Sequence, residues 1–293
     1  MDQTEELVRM SSESHPPQKL EDPLRSVAEI TSHESQATSN QIQEGDLVLL
    51  WFEEDQTYLV EVTRGKHVGI HCGKPPLVDD WIGQEFGTKV IFDHGSAYLL
   101  KPSMEDLMMK ASRESGIIYP KDAAYLMIKA GIHSGSKVLE VGTGSGSLTM
   151  ALAQAVAPAG RVFTFDRRTD LPKNAVKNVT RAGLSAYVTF CQRQAGEAFP
   201  EKEFDAVVLD IPQPWEEVAV VKEALKGSGR LVSLNPTFNQ IETMAEALRA
   251  NGFIAVECHE LLQRPILARG GKTRPVQRMV SHTEFLLFAI RPA

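Results

Sequence analysis

The sequence predicts an α/β protein built on a doubly wound, mostly parallel sheet, with a small β domain ahead of it. From Ser136 onward, apolar strand-like runs alternate with helical patterns. Within that region KVLEVGTGSGSLT, Lys137 to Thr149, reads as strand, glycine turn and helix. Ahead of it, residues 44–102 hold short apolar runs broken by turn residues. A chain of 293 residues, 42% of them hydrophobic, can bury an ample core and is long enough for one or two domains.

In chain order, residues 1–43 are rich in Ser, Glu, Gln and Thr and poor in aromatic and branched aliphatic residues. Such a segment cannot bury enough apolar surface to offset its ordering entropy, so a disordered acidic tail is expected, with at most a short helix over 22–29. In 44–102 the runs DLVLLWF, TYLVEV, TKVIF and AYLL, separated by Asp55, Gly65, Gly69, Gly73 and Gly87, fit a small antiparallel barrel or sheet. The third region, 103–293, opens with a helix over Ser103 to Ala111, where Ser103 is the N-cap and Asp106 its acidic third position. A second helix runs over Lys121 to Ala130 and stops at Gly131.

Then KVLEV, RVFTF, AYVTF, DAVVLD, GRLVSL, FIAVECHEL and EFLLFAI read as strands, with helices between them ending at Gly183, Gly227 and Gly252. The last two strands are joined across Gln263 to Thr283 with no recognisable helix. A structureless connection of about twenty residues in a compact domain is usually functional.

No apolar run reaches membrane-spanning length, and neither a secretory signal nor an Arg-rich transit segment is recognisable, so a cytoplasmic protein is expected. Cys72, Cys191 and Cys258 are odd in number and widely spaced, which argues against a disulfide framework or a zinc site; reduced, half-buried thiols are expected. The net charge of -7 is uneven, since residues 1–44 carry nine acids and three bases and leave only -1 for the rest. Composition therefore neither demands nor forbids a nucleic-acid partner, and local basic clusters decide.

Gly142, Gly144 and Gly146 can adopt backbone angles closed to other residues and let a ligand lie against the main chain, beside helix N–H groups. The dinucleotide pattern Gly-x-Gly-x-x-Gly fails, because Ser147 and Thr149 stand where its third glycine belongs, and no Gly-Lys-Ser/Thr follows for a phosphate loop. What remains is Glu140-x-Gly-x-Gly-x-Gly, with Asp166 closing the next strand twenty residues beyond Gly146, where an acid can hold both hydroxyls of a ribose. Together these look like motifs I and II of S-adenosylmethionine-dependent methyltransferases. A glycine-rich turn without a ligand is the plain alternative.

The fourth strand ends in LDIPQPW, Leu209 to Trp215. Its two prolines fix the turn, leaving carbonyls near Asp210 and Ile211 as acceptors, and an aromatic closes it. Methyltransferases of exocyclic amines on DNA and RNA typically carry Asn or Asp, Pro, Pro and an aromatic there; the spacing here differs.

Four blocks in order, SGIIYPKD (Ser115 to Asp122), LEVGTGSGSLT (Leu139 to Thr149), LDIPQPW and RPVQRMVSHTEFLLFA (Arg274 to Ala289), resemble the tRNA (adenine-N1)-methyltransferases that modify position 58 of the T-loop. The resemblance covers about residues 44–293. It implies a Rossmann-like class I methyltransferase with a mostly parallel seven-stranded sheet, S-adenosyl-L-methionine as cofactor, tRNA as partner and, as in prokaryotic members, a homotetramer.

Carried onto matching positions, the resemblance has Glu140, Gly142, Thr143, Gly144, Ser145, Gly146, Ser147, Leu148 and Thr149 cradle the cofactor. Asp166 and Arg167 would serve its ribose, and Ile118 and Tyr119 would wall the pocket. Asp210 would face cofactor and target base, as the catalytic residue. Gln194 stands where relatives have an acid beside the cofactor adenine, and Leu171 where they often have a base, so weakened cofactor binding is expected; a glutamine carbonyl still accepts from an amine.

N1 of adenine attacks through an in-plane lone pair and becomes cationic, so Asp210 accepting from the N6 amine would orient the base and offset that charge. The target base must leave its stack. Tyr119, Pro212 and Trp215 are candidates to receive it, although Trp215 serves equally as core packing. Arg269, Lys272, Arg274 and Arg278, with Arg264, form a phosphate-binding candidate, with a merely solvated loop as its rival. His282 is a candidate RNA contact or a packing histidine. Two other functions stay open, a non-catalytic RNA-binding subunit of such an enzyme and a methyltransferase of protein carboxylates.

Overall fold

The computed structural model describes residues 40–52, 56–71, 73–113, 116–168 and 173–293. Residues 1–39, and with them the 22–29 helix, lie outside the described residues, as do Cys72, Ser115 and Leu171. Residues 41–293 form one compact unit.

Strands β1 (Leu47–Phe52), β2 (Thr57–Glu61), β3 (Lys89–Ile91) and β4 (Ser96–Leu100) make the antiparallel sheet the sequence predicts, in the order β2-β1-β4-β3. Val48, Leu50 and Phe52 of β1 alternate inward onto Val60, Ala97, Leu99 and Trp81. Ile42, ahead of the expected start at residue 44, belongs to the same core, held by backbone hydrogen bonds to Gln84 and Gly83.

Helix α1 (Met104–Met109) starts with the expected capping box, the Ser103 hydroxyl accepting from the Asp106 N–H and the Asp106 carboxylate accepting from the Ser103 N–H. The Lys110 ammonium after it donates to the Thr57 carbonyl at 2.8 Å, tying the small sheet to the larger layer. Helix α2 (Pro120–Lys129) opens on a proline at its first turn, where no N–H is required.

The chain then alternates: β5 (Lys137–Val141), α3 (Ser147–Val156), β6 (Arg161–Asp166), α4 (Lys173–Arg181), β7 (Val188–Gln192), β8 (Phe204–Leu209), α5 (Val218–Ala224), β9 (Leu225–Asn235), α6 (Phe238–Ala250) and β10 (Ile254–Glu260). A two-rung hairpin of β11 (Ile266–Leu267) and β12 (Arg274–Pro275) leads to β13 (Phe285–Ile290).

Seven strands form one sheet in the order β10-β13-β9-β8-β5-β6-β7, with β13 antiparallel to both its neighbours. The mostly parallel sheet is thus as predicted. Covered on both faces, its central strands read as continuous apolar runs, and α3, buried on nearly every side, is apolar almost throughout.

Three local expectations change. Gly183 and Gly252 do cap helices in the left-handed region, but Gly227 lies inside β9, because α5 ends at Ala224 and the chain turns extended at Leu225. The Gln263–Thr283 connection is a hairpin, whose two-residue strands are too short to leave a period-two pattern. Cys191 is half-buried as expected, but Cys258 is exposed, since β10 is an edge strand. Among the described residues no helix is long and apolar enough to cross a membrane.

Candidate active site

The carboxyl ends of β5, β6 and β8 bring the glycine turn, Asp166 and Asp210 to one edge of the sheet, where a doubly wound fold binds its ligands. They surround a cavity of about 470 Å³ lined by Gly142, Gly144, Asp166, Arg167, Arg168, Arg193, Ala195, Asp210, Ile211, Pro212, Gln213 and neighbours. That volume suits a small organic ligand.

The glycines meet different needs. Gly142 has φ of 104°, and a Cβ there would land on the Asp210 carbonyl oxygen. The Asp210 N–H in turn donates to the Val141 carbonyl at 2.8 Å, so the glycine turn and the LDIPQPW turn are built against each other. A Cβ on Gly146 would stand 3.0 Å from Ala175, so this glycine allows α3 and α4 to approach. Gly144 lines the cavity.

The polar residues of the turn face protein instead of the cavity. Thr143 and Thr164 share a hydroxyl hydrogen bond of 2.7 Å, and the Ser145 carbonyl accepts from the Asn178 amide. The Ser147 hydroxyl donates to the Met108 carbonyl, the Thr149 hydroxyl donates to Glu140 at 2.6 Å, and Leu148 is core. Glu140 is wholly buried with Oε1 unpartnered, and burial pushes its carboxyl up to about 8 despite the Thr149 hydroxyl.

At the rim, burial pushes the Asp166 carboxyl up, but the Arg168 guanidinium and N–H outweigh it and hold the acid below its ordinary range. Arg168 grips both carboxylate oxygens, Nε to Oδ1 at 2.9 Å and an Nη to Oδ2 at 2.8 Å. Gln194 is not a lining residue: its amide donates to the Arg167 carbonyl, and Arg193 and Ala195 on either side face the cavity. Arg193 is buried against the Glu217 carboxylate at 2.7 Å and over the Phe199 ring. Ile118 packs in the core and Tyr119 caps α2, so neither lines this cavity.

Asp210 faces open space, yet protein surrounds that space; among the described residues its carboxyl has no partner, and the enclosure pushes it up to about 6. Pro212 lines the cavity beside it and accepts from the Gln240 amide, while Trp215 packs on the core. Sequence reasoning missed the acid nearest in character to Asp210. Glu284, just before β13, is half-buried, and its burial, then the Asp210 and Asp122 carboxylates, push it up to about 8 against the Lys121 ammonium.

Arg264, Arg269, Lys272, Arg274 and Arg278 are all exposed along the hairpin connection. His282 is engaged within the protein: one ring nitrogen bonds Glu260 at 2.8 Å, the other the Pro236 carbonyl at 3.0 Å, and the ring lies against Phe285. Two acceptors favour the doubly protonated ring, and Glu260, then Pro236, raise its pKa.

A seven-stranded sheet of this order, with a glycine turn after β5 and an acid closing β6, defines a class I S-adenosylmethionine-dependent methyltransferase. The fold matches that of a SAM-dependent O-methyltransferase from Thermotoga maritima (TM-score 0.83, 34% identity, covering 89% of this chain and 98% of that one). It also matches tRNA (m1A58) methyltransferase TrmI from Aquifex aeolicus (TM-score 0.75, 29% identity, 86% and 99%).

Residues 95–273 match the family described as tRNA methyltransferase complex GCD14 subunit. The chain belongs to the tRNA (adenine-N1)-methyltransferase family. It is 33% identical over 221 residues to a tRNA (adenine(57)-N(1)/adenine(58)-N(1))-methyltransferase TrmI of Methanocaldococcus jannaschii, covering 67% of this chain and 78% of that protein. It is 29% identical over 232 residues to the tRNA (adenine(58)-N(1))-methyltransferase catalytic subunit TRM61 of Cryptococcus neoformans, covering 76% of this chain and 53% of that one.

Proposed function

We propose that this chain transfers the methyl group of S-adenosylmethionine to N1 of the adenosine at position 58 in the tRNA T-loop. The carrying observation is the Asp210 carboxyl, turned into the cavity with no partner among the described residues. The relatives named above support the acceptor.

The residues present fit the cofactor. Gly142 and Gly144 bare the main chain to the cavity, Asp166 offers oxygens at its rim for ribose hydroxyls, and Arg193 and Ala195 wall it. When bound, S-adenosylmethionine supplies an electrophilic methyl group on a sulfonium sulfur. Asp210 accepts from the N6 amine of the flipped base, which aims the N1 lone pair and keeps a negative charge beside the base as it turns cationic. No side chain needs to take a proton from N1. The exposed bases of the hairpin connection bind tRNA phosphates.

The reading includes a homo-oligomer, a tetramer as in prokaryotic family members, acting with tRNA in the cytoplasm. Supporting it, β10 is an edge strand that presents Ile254 at 53% exposure.

Unmodified tRNA and labelled S-adenosylmethionine test the reaction. Label is expected in N1-methyladenosine at position 58, with Asp210→Ala slowing transfer about 100- to 1,000-fold at saturating cofactor. Label in an ether or ester, or cofactor binding with no transfer, overturns it.

A further inference from the structure

Glu284 has no task in the reaction as described, and its setting is unusual. β13 lies on the far side of β9 from β8, with Phe285 opposite Asn235 while Leu209 lies opposite Ser233. That register brings residue 284 to the same carboxyl edge as Asp210. The cation within reach is already engaged, since the Lys121 ammonium donates to both Asp122 oxygens at 2.8 Å and to the Thr283 hydroxyl at 2.7 Å. The Thr283 hydroxyl also donates to Asp122 at 2.7 Å. This triad pins the chain just before Glu284 to the first turn of α2, yet leaves the Glu284 carboxyl with no hydrogen bond or ion pair among the described residues. A half-buried acid without a partner is costly unless something that visits the site supplies one.

We propose that Glu284 is a second carboxyl of the acceptor site, taking one hydrogen of an exocyclic amine whose other hydrogen goes to Asp210, and so selecting an aminated base. Two unpartnered acceptors at one edge match the two hydrogens of a single amino group, whereas a carbonyl brings no hydrogen and leaves at least one of the two carboxyls unpaired. With its proton retained, the Glu284 carboxyl still accepts through its carbonyl oxygen. Asp122, held by the Lys121 ammonium and the Thr283 hydroxyl, stays a positioning residue. This rests on the adenine-N1 reading.

The test compares two T-loop RNA hairpins, one with adenosine at the target and one with purine riboside, which keeps N1 and lacks the amine. Glu284→Leu, which unlike Glu284→Gln leaves no acceptor, is expected to slow single-turnover methylation of adenosine roughly 10-fold, with cofactor affinity within about twofold of the parent. The same substitution should leave purine riboside methylation nearly unchanged, and Glu284→Asp should recover part of the adenosine rate. Equal losses on both RNAs mean a structural role and overturn the proposal, as does no loss on either. Failure of the parent protein to form N1-methyladenosine defeats the reaction reading itself, which keeps the two failures apart.

Discussion

The two halves of the active edge treat their acids in opposite ways. Asp166, closing β6, is gripped by the Arg168 fork and held below the ordinary carboxylate range. Asp210, after β8, and Glu284, before β13, have no partner among the described residues, and enclosure raises both. A charge that is already paired can hold a ligand only by exchanging partners, whereas an enclosed, unpaired acid is satisfied by the ligand that arrives. The first suits a cofactor that binds and leaves each turnover; the second suits a base that brings its own donors.

Glu140 sharpens the contrast, because it is wholly buried and does not line the cavity. Its raised pKa fixes the sign of a pH effect. The stability it contributes is fully present below the unfolded pKa. It declines as the unfolded chain ionises, and it is lost once pH passes about 8. Glu140→Gln keeps an acceptor for Thr149 and removes the charge. The variant should therefore melt like the parent near pH 4 and be the more stable by up to roughly 4 kcal/mol near pH 8. Thermal denaturation across that range checks it; a parallel pair of curves would show that Glu140 is already paired in solution.

Asp166→Ala breaks the partnered side. On the proposed role of Asp166 as acceptor for two ribose hydroxyls, its removal should weaken S-adenosylmethionine binding roughly 10- to 100-fold by calorimetry. At saturating cofactor the methylation rate should be little changed. A fall in that rate instead, with affinity intact, would mean that Asp166 serves the reaction and not the cofactor.

Much of this was legible in the sequence because it depends on period and order. Alternating runs gave the parallel sheet, and an acid at the end of a strand falls at the ligand edge whatever its neighbours do, which located Asp166 and Asp210. Side-chain direction is another matter. Thr143, Ser147 and Thr149 sit in the right turn but point into protein, because each hydroxyl is buried and finds its partner there, in Thr164, the Met108 carbonyl and Glu140. Gln194 is one residue out of phase with the cavity, which its neighbours face. Glu284 was hidden because its significance comes from Asp210, two strands away in the sheet, and from a lysine whose charge is spent elsewhere.

Arg168 is where the contrast can be tested most finely, because in the proposed site its grip on Asp166 would compete with the cofactor ribose. Two residues from the acid and 51% exposed on its side chain, it makes a bidentate pair in contact with water. Such pairs contribute little net free energy, about 1 kcal/mol or less. Releasing it should therefore help binding only modestly: Arg168→Ala is expected to tighten S-adenosylmethionine roughly two- to fivefold, with the gain shrinking as salt screens the parent's ion pair. Asp166→Ala combined with Arg168→Ala should show no gain over Asp166→Ala alone, since there is no longer an acid to release. Weaker binding by the single Arg168 variant would reverse the assignment, making the guanidinium a cofactor contact in its own right and Asp166 the group that aims it.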